Sequence, residues 1–161
     1  MIVDCAVYEH GRRRDGKVTV EAAVKACEEE DAFVWIGLHE PTEDEFDHVT
    51  RAFGLHELAV EDAIQAHQRP KLEDYDNCLF LVLKPARYSE RQQMIEVGEI
   101  LIFTGDRFVV TVRHGKAGDL AAVRRLAESR PDLLRLGPSA VLYHILDHIV
   151  DDYRSVIDDF E

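Results

Sequence analysis

The alternation of apolar and polar residues in the first third of the chain predicts two strands and two helices. Residues 2–9 alternate and are β-branched early, which is typical of a strand. Residues 32–38 form a continuous apolar run, which is typical of a strand buried on both faces. A helix is expected to start after Thr19, and another between Thr42 and Gly54, where Thr42 and Glu45 have the spacing of a capping box.

The rest of the pattern predicts a further helix, a run of strands and a helical end. A helix is expected over 57–67, because Pro70 prevents it from continuing. Three strands and two helices follow, the strands at 78–88, 96–105 and 107–114 and the helices at 117–130 and 139–161. The stretch TGDR (104–107), where the last two strands meet, leaves room only for a tight hairpin.

This order of elements predicts an α/β fold of α+β-like character. A mixed β-sheet would be flanked by helices and followed by a C-terminal helical segment. The length of 161 residues suits one domain with a substantial core. We expect residues 1–137 to form the α/β core and residues 138–161 to begin the C-terminal helical segment.

The last predicted helix carries the clearest periodicity in the chain. Its apolar residues recur at alternating steps of four and three, at Leu142, Leu146, Ile149, Tyr153, Val156 and Phe160. Such a heptad seam packs either against the helix's own domain or against a partner helix. The absence of a capping glycine at its end favours a helix that continues into a longer structure.

Composition narrows the functional classes. The chain carries 32 acidic and 19 basic residues, a net charge of −13, which argues against binding to nucleic acid or to an anionic membrane surface. Its three cysteines, Cys5, Cys27 and Cys78, favour free thiols in a reducing compartment. With no signal peptide and no apolar run long enough to cross a bilayer, the sequence predicts a soluble chain.

Motifs for catalysis are weak, so we do not expect an enzyme. The segment 11–17 has the G-x-x-x-x-G-K spacing of a phosphate-binding loop, but Val18 stands where a hydroxyl should bind Mg²⁺. An exposed turn explains the segment better. The sequence also lacks G-x-S-x-G and H-E-x-x-H, and Cys78 lies at the start of an apolar strand, where a thiol is usually inert.

Two acidic stretches are candidate metal sites, each with a plain structural alternative. His144 and His148 lie one helical turn apart, as do Asp147 and Asp151, on the side expected to be polar, and a histidine pair at this spacing suits Zn²⁺. A solvated helix face explains them equally well.

Glu61 and Asp62, in the other stretch, are neighbours on a helix and point about 100° apart, so one ion cannot easily take both. They too could form a solvated face. An exposed helix position for Asp62 predicts that Asp62→Ala changes the free energy of unfolding by no more than about 0.5 kcal/mol. His67, near the helix end, would be stabilised there by the helix dipole.

Four stretches resemble the cytosolic domain of the CorA family of Mg²⁺ transport proteins. They are VWIGLHEPTEDEFDHVTRAFGLH (34–56), HELAVEDAIQAHQRPKLEDYDNCLFLVLK (56–84), FVVTVRHG (108–115) and LYHILDHIVDDYRSVIDDFE (142–161). The run VEDAIQAHQRPK is the most specific of these. The resemblance extends from about residue 32 to the end.

The resemblance implies an architecture larger than this chain. Proteins of this kind are homopentameric channels with a cytosolic domain, a long stalk helix and two transmembrane helices, with a Gly-Met-Asn signature in the pore. The present sequence contains none of the last three features. It is therefore expected to be the cytosolic part of a membrane protein, lying on the cytoplasmic side of the cell membrane.

The resemblance also implies which residues bind metal. The family's regulatory divalent sites lie between subunits, and they match Glu61, Asp62, His67 and Asp147 here. Their main partner is an aspartate on the stalk helix, which this chain lacks. The ion would be Mg²⁺, with Co²⁺ or Zn²⁺ as alternatives, and its role regulatory.

The expected function is that of a divalent-cation-sensing domain of a CorA-like Mg²⁺/Co²⁺ channel. Its partners would be divalent cations and other copies of the same chain. Two alternatives stay open. One is a Zn²⁺-transporting relative, which the pair of His144 and His148 keeps in view, and the other is a stand-alone soluble metal-dependent enzyme.

Overall fold

The computed structural model describes residues 1–64 and 68–159, and it forms a mixed sheet with helices on both faces. The strands are β1 (Ile2–Glu9), β2 (Arg12–Arg13), β3 (Ala32–His39), β4 (Lys71–Tyr75), β5 (Cys78–Leu83), β6 (Ala86–Ser89), β7 (Met94–Val97), β8 (Glu99–Thr104) and β9 (Phe108–His114). The helices are α1 (Val20–Ala26), α2 (Glu43–Ala52), α3 (Glu57–Ile64), α4 (Ala121–Glu128), α5 (Pro131–Leu134) and α6 (Pro138–Asp158).

Seven strands form the main sheet in the order β2-β1-β3-β9-β8-β5-β4, and β6 and β7 form a separate hairpin. Neighbouring strands of the described main sheet are antiparallel except for β3 and β9, which run parallel. The predicted fold class, a mixed sheet flanked by helices with a C-terminal helix, is confirmed.

Each face of the sheet has its own apolar core, because side chains of a strand point alternately to opposite faces. Along β3, Val34 and Ile36 pack towards α1, α2 and α3, while Phe33 and Trp35 pack towards α4, α5 and α6. The two helical layers are therefore separated by the sheet. The predicted strand buried on both faces is confirmed for β3.

Local capping explains where the first helices begin. The Thr19 hydroxyl accepts a hydrogen bond from Ala22 N at 3.2 Å at the start of α1. At the start of α2, Thr42 Oγ1 accepts from Glu45 N at 3.2 Å, and Glu45 Oε2 accepts from Thr42 N at 3.0 Å. The predicted capping box is therefore present, and it satisfies two backbone donors that the first turn leaves free.

Several predicted boundaries are wrong. β4 occupies a stretch for which no strand was predicted. The predicted strand 78–88 ends at Leu83, and the predicted strand 96–105 is divided at Gly98 into β7 and β8. A side chain at Gly98 would stand 2.6 Å from the carbonyl oxygen of Ala117, so this close approach of two backbones requires glycine.

Other corrections concern turns and prolines. The segment predicted as an exposed turn contains the two-residue strand β2, which pairs with the end of β1. The predicted helix 117–130 begins only at Ala121, and Pro131, which follows it, opens the short helix α5. Proline is tolerated in the first turn because its missing N–H would have no partner there.

The face of the C-terminal helix that packs on the sheet coincides only in part with the predicted seam, through Ile149 and the partly buried Leu142. Val141, Ile145 and Ile149 are buried against the sheet, whereas Leu146 of the predicted seam is 37% exposed. Phe160, the last seam residue, lies outside the described residues. Apolar residues occur on more than one side of α6, so their spacing alone could not select the packing face. Among residues 1–64 and 68–159, no helix combines the length and the apolar character needed to cross a membrane.

The three cysteines are free thiols with little reactivity. Cys5 and Cys27 are half-buried and Cys78 is buried. Burial raises the pKa of each thiol to about 11, because it disfavours the charged thiolate. They are therefore protonated at neutral pH, as expected for structural cysteines.

Candidate divalent-cation site

Helix α3 presents the two neighbouring carboxylates of the predicted site. His56 Nδ1 accepts a hydrogen bond from Leu58 N at 3.2 Å at its start, and the His56 ring stacks on Tyr75 at 4.7 Å. Ala59 and Ala63 are buried and hold the helix on the sheet. Glu61 is exposed on the remaining surface of the helix, and Asp62 is half-buried.

Asp62 forms an ion pair that the sequence analysis missed. Lys71 Nζ, on β4, donates to Asp62 Oδ2 at 2.6 Å and lies 3.2 Å from Glu73 Oε1. The Asp62 side chain is 32% exposed and that of Lys71 24% exposed, so both are partly withdrawn from water. The hydrogen bond to Asp62 raises the pKa of Lys71, which stays charged at neutral pH.

This ion pair corrects one expectation. Asp62 is not a free exposed residue, so a substitution there removes a charged partner as well as a carboxylate. Lys71 belongs to strand β4 and binds the Asp62 side chain. A divalent cation at Asp62 must therefore share the carboxylate with an ammonium group.

A second ion pair anchors the chain just after the described part of α3. The backbone N–H of Gln68 donates to Glu99 Oε2 at 3.1 Å, and Lys84 Nζ donates to the same oxygen. Glu99 is buried, and its charge is compensated by both donors. No sequence signal pointed to Glu99, because its partners lie 15 and 31 residues away.

The predicted metal ligands that the structure describes, Glu61, Asp62 and Asp147, do not meet around one ion within one chain. His67 lies outside the described residues. α3 packs against one face of the sheet and α6, which carries Asp147, packs against the other. Within residues 1–64 and 68–159, no three His, Cys, Asp or Glu side chains are grouped so that they could hold a metal ion.

The predicted histidine pair on α6 is wrong as a surface site. His144 is only 3% exposed, and its Nε2 has no hydrogen-bond partner among the described residues. His144 follows Val141 by three residues on the face of α6 that packs on the sheet, so it faces the core. His148 is half-exposed, with Nε2 3.6 Å from Asp152 Oδ2.

Burial sets the protonation of His144. Desolvation lowers its pKa from the ordinary value of 6.5, and the nearby positive charge of Arg130 lowers it further, against a smaller opposite effect of Asp147. The neutral ring is therefore the form that the core accommodates at neutral pH.

A cleft of about 470 Å³ lies beside α3, between it and the first turn of α2. Phe46, Val60 and Ala63 line its apolar floor, and Glu43 and Asp44 lie at its edge. These carboxylates stand in the first turn of α2, where they stabilise the positive end of the helix dipole. The helix dipole therefore explains the position of Glu43 and Asp44 without a bound ligand.

Comparisons with known proteins decide the family. The profile described as "CorA-like Mg2+ transporter protein" matches residues 30–161. The chain belongs to this family. The predicted resemblance is therefore confirmed, and so is the prediction that the chain is not an enzyme, since the family consists of transporters.

Individual relatives of this CorA-like chain agree with that assignment. YfjQ from Bacillus subtilis is 34% identical over 126 residues, which cover 78% of this chain and 38% of YfjQ. The cobalt/magnesium transport protein CorA from Thermotoga maritima is 29% identical over 145 residues, 87% of this chain and 40% of that protein. The chain thus spans less than half the length of these curated relatives.

The fold is also similar to that of a solved structure. The soluble domain of CorA from Methanocaldococcus jannaschii superposes with a TM-score of 0.70, covering 99% of this chain and 61% of that one at 16% sequence identity. At this identity the likeness shows the shared fold alone, a mixed sheet with helices and a long C-terminal helix.

Proposed function

We propose that this chain is the divalent-cation-sensing domain of a CorA-like Mg²⁺/Co²⁺ transporter, placed on the cytoplasmic side of the membrane. Glu61, Asp62, His67 and Asp147 would contribute to regulatory sites shared between the subunits of a homo-oligomer, a pentamer in the complete protein. Family membership supports the transport context, and the positions of the carboxylates support the regulatory role.

The observation that carries the proposal is the separation of Asp62 from Asp147. Their helices pack on opposite faces of one sheet, so a single chain cannot close both around one ion. Both residues lie at the protein surface, Asp147 exposed and Asp62 half-buried. An ion that uses both types of carboxylate would therefore take them from different subunits.

Charge repulsion supplies the mechanism. Two carboxylates about 4 Å apart across an interface repel by about 4 kcal/mol at an effective dielectric constant near 20, before screening by salt. A divalent cation between them turns the repulsion into attraction. Mg²⁺ suits such sites, because it prefers oxygen ligands and keeps several waters, so a few carboxylates suffice.

The consequence is feedback by population shift. When Mg²⁺ is plentiful, bridged interfaces favour the closed arrangement. When it is scarce, repulsion between subunits favours opening. The response is expected to be weaker at Asp62 than at an unpaired carboxylate, because the bound ammonium of Lys71 competes with the cation for the carboxylate.

The Zn²⁺-handling alternative loses the feature on which it rested. Its two histidines do not share a surface, since His144 is buried. No other observation on the described residues favours Zn²⁺ over Mg²⁺ or Co²⁺.

The test is protease protection of the complete transporter that carries this domain, measured against Mg²⁺ concentration. We expect Asp62→Asn to move the midpoint to a higher Mg²⁺ concentration, with Asp15→Asn as the control. Asp15 is an exposed aspartate far from α3 in sequence, and its loss changes the net charge equally. An unchanged midpoint in Asp62→Asn would refute the assignment of Asp62.

A further inference from the structure

A second cleft lies on the face of the sheet opposite to α3. It has a volume of about 290 Å³ and is bounded by β3, β9 and the start of α4. Gly37 and Arg113 line it, near the carboxyl ends of β3 and β9 respectively. It is separate from the proposed cation site, and nothing in the proposed function uses it.

Arginine is concentrated in this cleft, although the chain as a whole has a net charge of −13. Four arginines line it: Arg13, Arg113, Arg124 and Arg125. Two of them are already neutralised by lining carboxylates. Asp4 pairs with Arg13 Nη1 at 2.8 Å and with Arg124 Nε at 3.1 Å, and Glu128 pairs with Arg13 Nη1 at 3.1 Å.

The other two arginines have no acidic partner among the described residues. Arg113 Nη1 makes only a long contact of 3.4 Å with the carbonyl oxygen of Gly118, and Arg125 is exposed at the rim. Asp119 also lines the cleft, but its Oδ1 accepts from Ala121 N at 3.0 Å. A half-buried guanidinium without a counter-charge is costly, so Arg113 is unusual in an acidic protein.

The cleft lies near the carboxyl ends of two parallel strands, which is where α/β proteins usually bind ligands. β3 and β9 are the parallel pair of the described sheet, and the chain passes from β9 directly into α4. Crevices outside the carboxyl ends of parallel strands are the usual ligand sites of such sheets. The first turn of α4 adds partial positive charge, of which Asp119 already binds the N–H group of Ala121.

We propose that this cleft binds a compact oxyanion, either a phosphate or a small polycarboxylate. Arg113 and Arg125 are its direct ligands. Arg124 is held on the wall by Asp4 and by the Trp35 ring, with the guanidinium carbon 3.9 Å from the ring centroid. The volume of about 290 Å³ is at the lower end of the range for ligand pockets, about 300–1,000 Å³, and suits a small anion.

The protein carries its own reporter for this proposal. Trp35 is the chain's single tryptophan, it lines the cleft, and its Nε1 donates to Thr111 Oγ1 at 3.3 Å. An anion that pulls on the arginines changes the field at the indole ring. Titration with inorganic phosphate, and separately with citrate, is therefore expected to give a saturable change in Trp35 fluorescence at constant ionic strength.

Three variants test the assignment of the ligands. Arg113→Gln is expected to weaken binding by about tenfold or more, since it removes a charge-assisted contact. Arg125→Gln is expected to weaken it by about threefold, because this arginine is exposed. Arg154→Gln, an exposed arginine on α6 that makes the same change in net charge, is the matched control and is expected to bind as the parent does.

The outcomes separate the sources of the anion. Saturation by phosphate alone assigns a phosphate or phosphoester, and saturation by citrate alone assigns a polycarboxylate; either result supports the site. The proposal is overturned if sodium chloride at matched ionic strength gives the same response, if neither anion saturates, or if Arg154→Gln weakens binding as much as Arg113→Gln. If circular dichroism shows Arg113→Gln unfolded, unchanged binding in Arg125→Gln overturns it.

Discussion

The two faces of the sheet hold their carboxylates in different ways. On the α4 face, Asp4 is bound by two arginines at once, Arg13 and Arg124. On the α3 face, Asp62 is bound by the single ammonium of Lys71, and Glu61 is exposed. Arginines bind both oxygens of Asp4, whereas Lys71 binds Oδ2 of Asp62, so the arrangement at Asp62 and Glu61 leaves more room for a cation than that at Asp4.

The difference lies in the chemistry of the partner. Arginine presents several donors in a rigid fork and stacks on aromatic rings, whereas lysine is a point charge on a flexible stem. Burial raises the pKa of Asp4, but the hydrogen bond from Arg13 and the charge of Arg124 outweigh it, so the net shift is downward. A carboxylate neutralised in this way is structural. One that faces a single lysine keeps the capacity to exchange its partner for another cation.

The largest effect on stability is expected from Arg124→Met, which removes one of the two arginines bound to Asp4. The Arg124 side chain is 11% exposed and binds Asp4, the Tyr8 hydroxyl at 2.9 Å and the Trp35 ring. Without Arg124, Asp4 keeps only Arg13 as a partner, and we expect the free energy of unfolding to fall by about 2–3 kcal/mol. Urea denaturation measures this. Arg125→Met, at the exposed next position, is the control and should change stability by no more than about 0.5 kcal/mol.

A smaller effect is expected from Asp62→Asn in the isolated chain. The variant loses the ion pair between Asp62 and Lys71, in which both side chains are partly shielded from water. We expect the free energy of unfolding to fall by about 1 kcal/mol. Urea denaturation of Asp62→Asn, Lys71→Met and the double variant gives the coupling energy between the two residues. A coupling as large as that between Asp4 and Arg124, measured by the same cycle, would remove the distinction between the two faces.

A third prediction concerns pH, because the α4 face also contains the buried ring of His144. Its folded-state pKa is lowered by burial, so the unfolded chain takes up the proton first as the pH falls below the ordinary value of 6.5. Stability is therefore retained above that value and is lost below it. His144→Leu should flatten this loss in thermal unfolding between about pH 8 and pH 5.

The control for that experiment is His148→Gln, whose ring is half-exposed one turn further along α6. The same flattening in the control, or a His144→Leu profile that keeps the full acid loss, would show that the buried ring is not its source.

The smallest effect on stability is expected at the exposed carboxylate of Glu61. Glu61→Gln removes an exposed charge on α3 and should leave the free energy of unfolding within about 0.5 kcal/mol of the parent. In the complete transporter the same variant should still raise the Mg²⁺ concentration needed for protease protection. A loss of stability similar to that of Asp62→Asn would mean that Glu61 has a structural partner.

The sequence by itself determined the features that depend on neighbours within one or two turns. The capping box of Thr42 and Glu45, the strand β1 and the doubly buried run of β3 were predicted because their causes lie within a few residues. The family was predicted for the same reason, since the four stretches that carry the resemblance, of which VEDAIQAHQRPK is the most specific, are each continuous in sequence. The order of elements then fixed the fold class.

Only the tertiary structure decided which partner each of these residues meets. Lys71 and Asp62 are nine residues apart and meet because β4 pairs with β5 beside α3, whereas the polar spacing of residues 71–75 predicted no strand. The sequence placed His144 on the polar surface of α6, but in the folded chain it lies on the face of α6 that packs on the sheet. The physical reason is that periodicity specifies an apolar stripe but not its neighbours. Contacts across the sheet depend on how all the elements fill one core, and no local pattern contains that information.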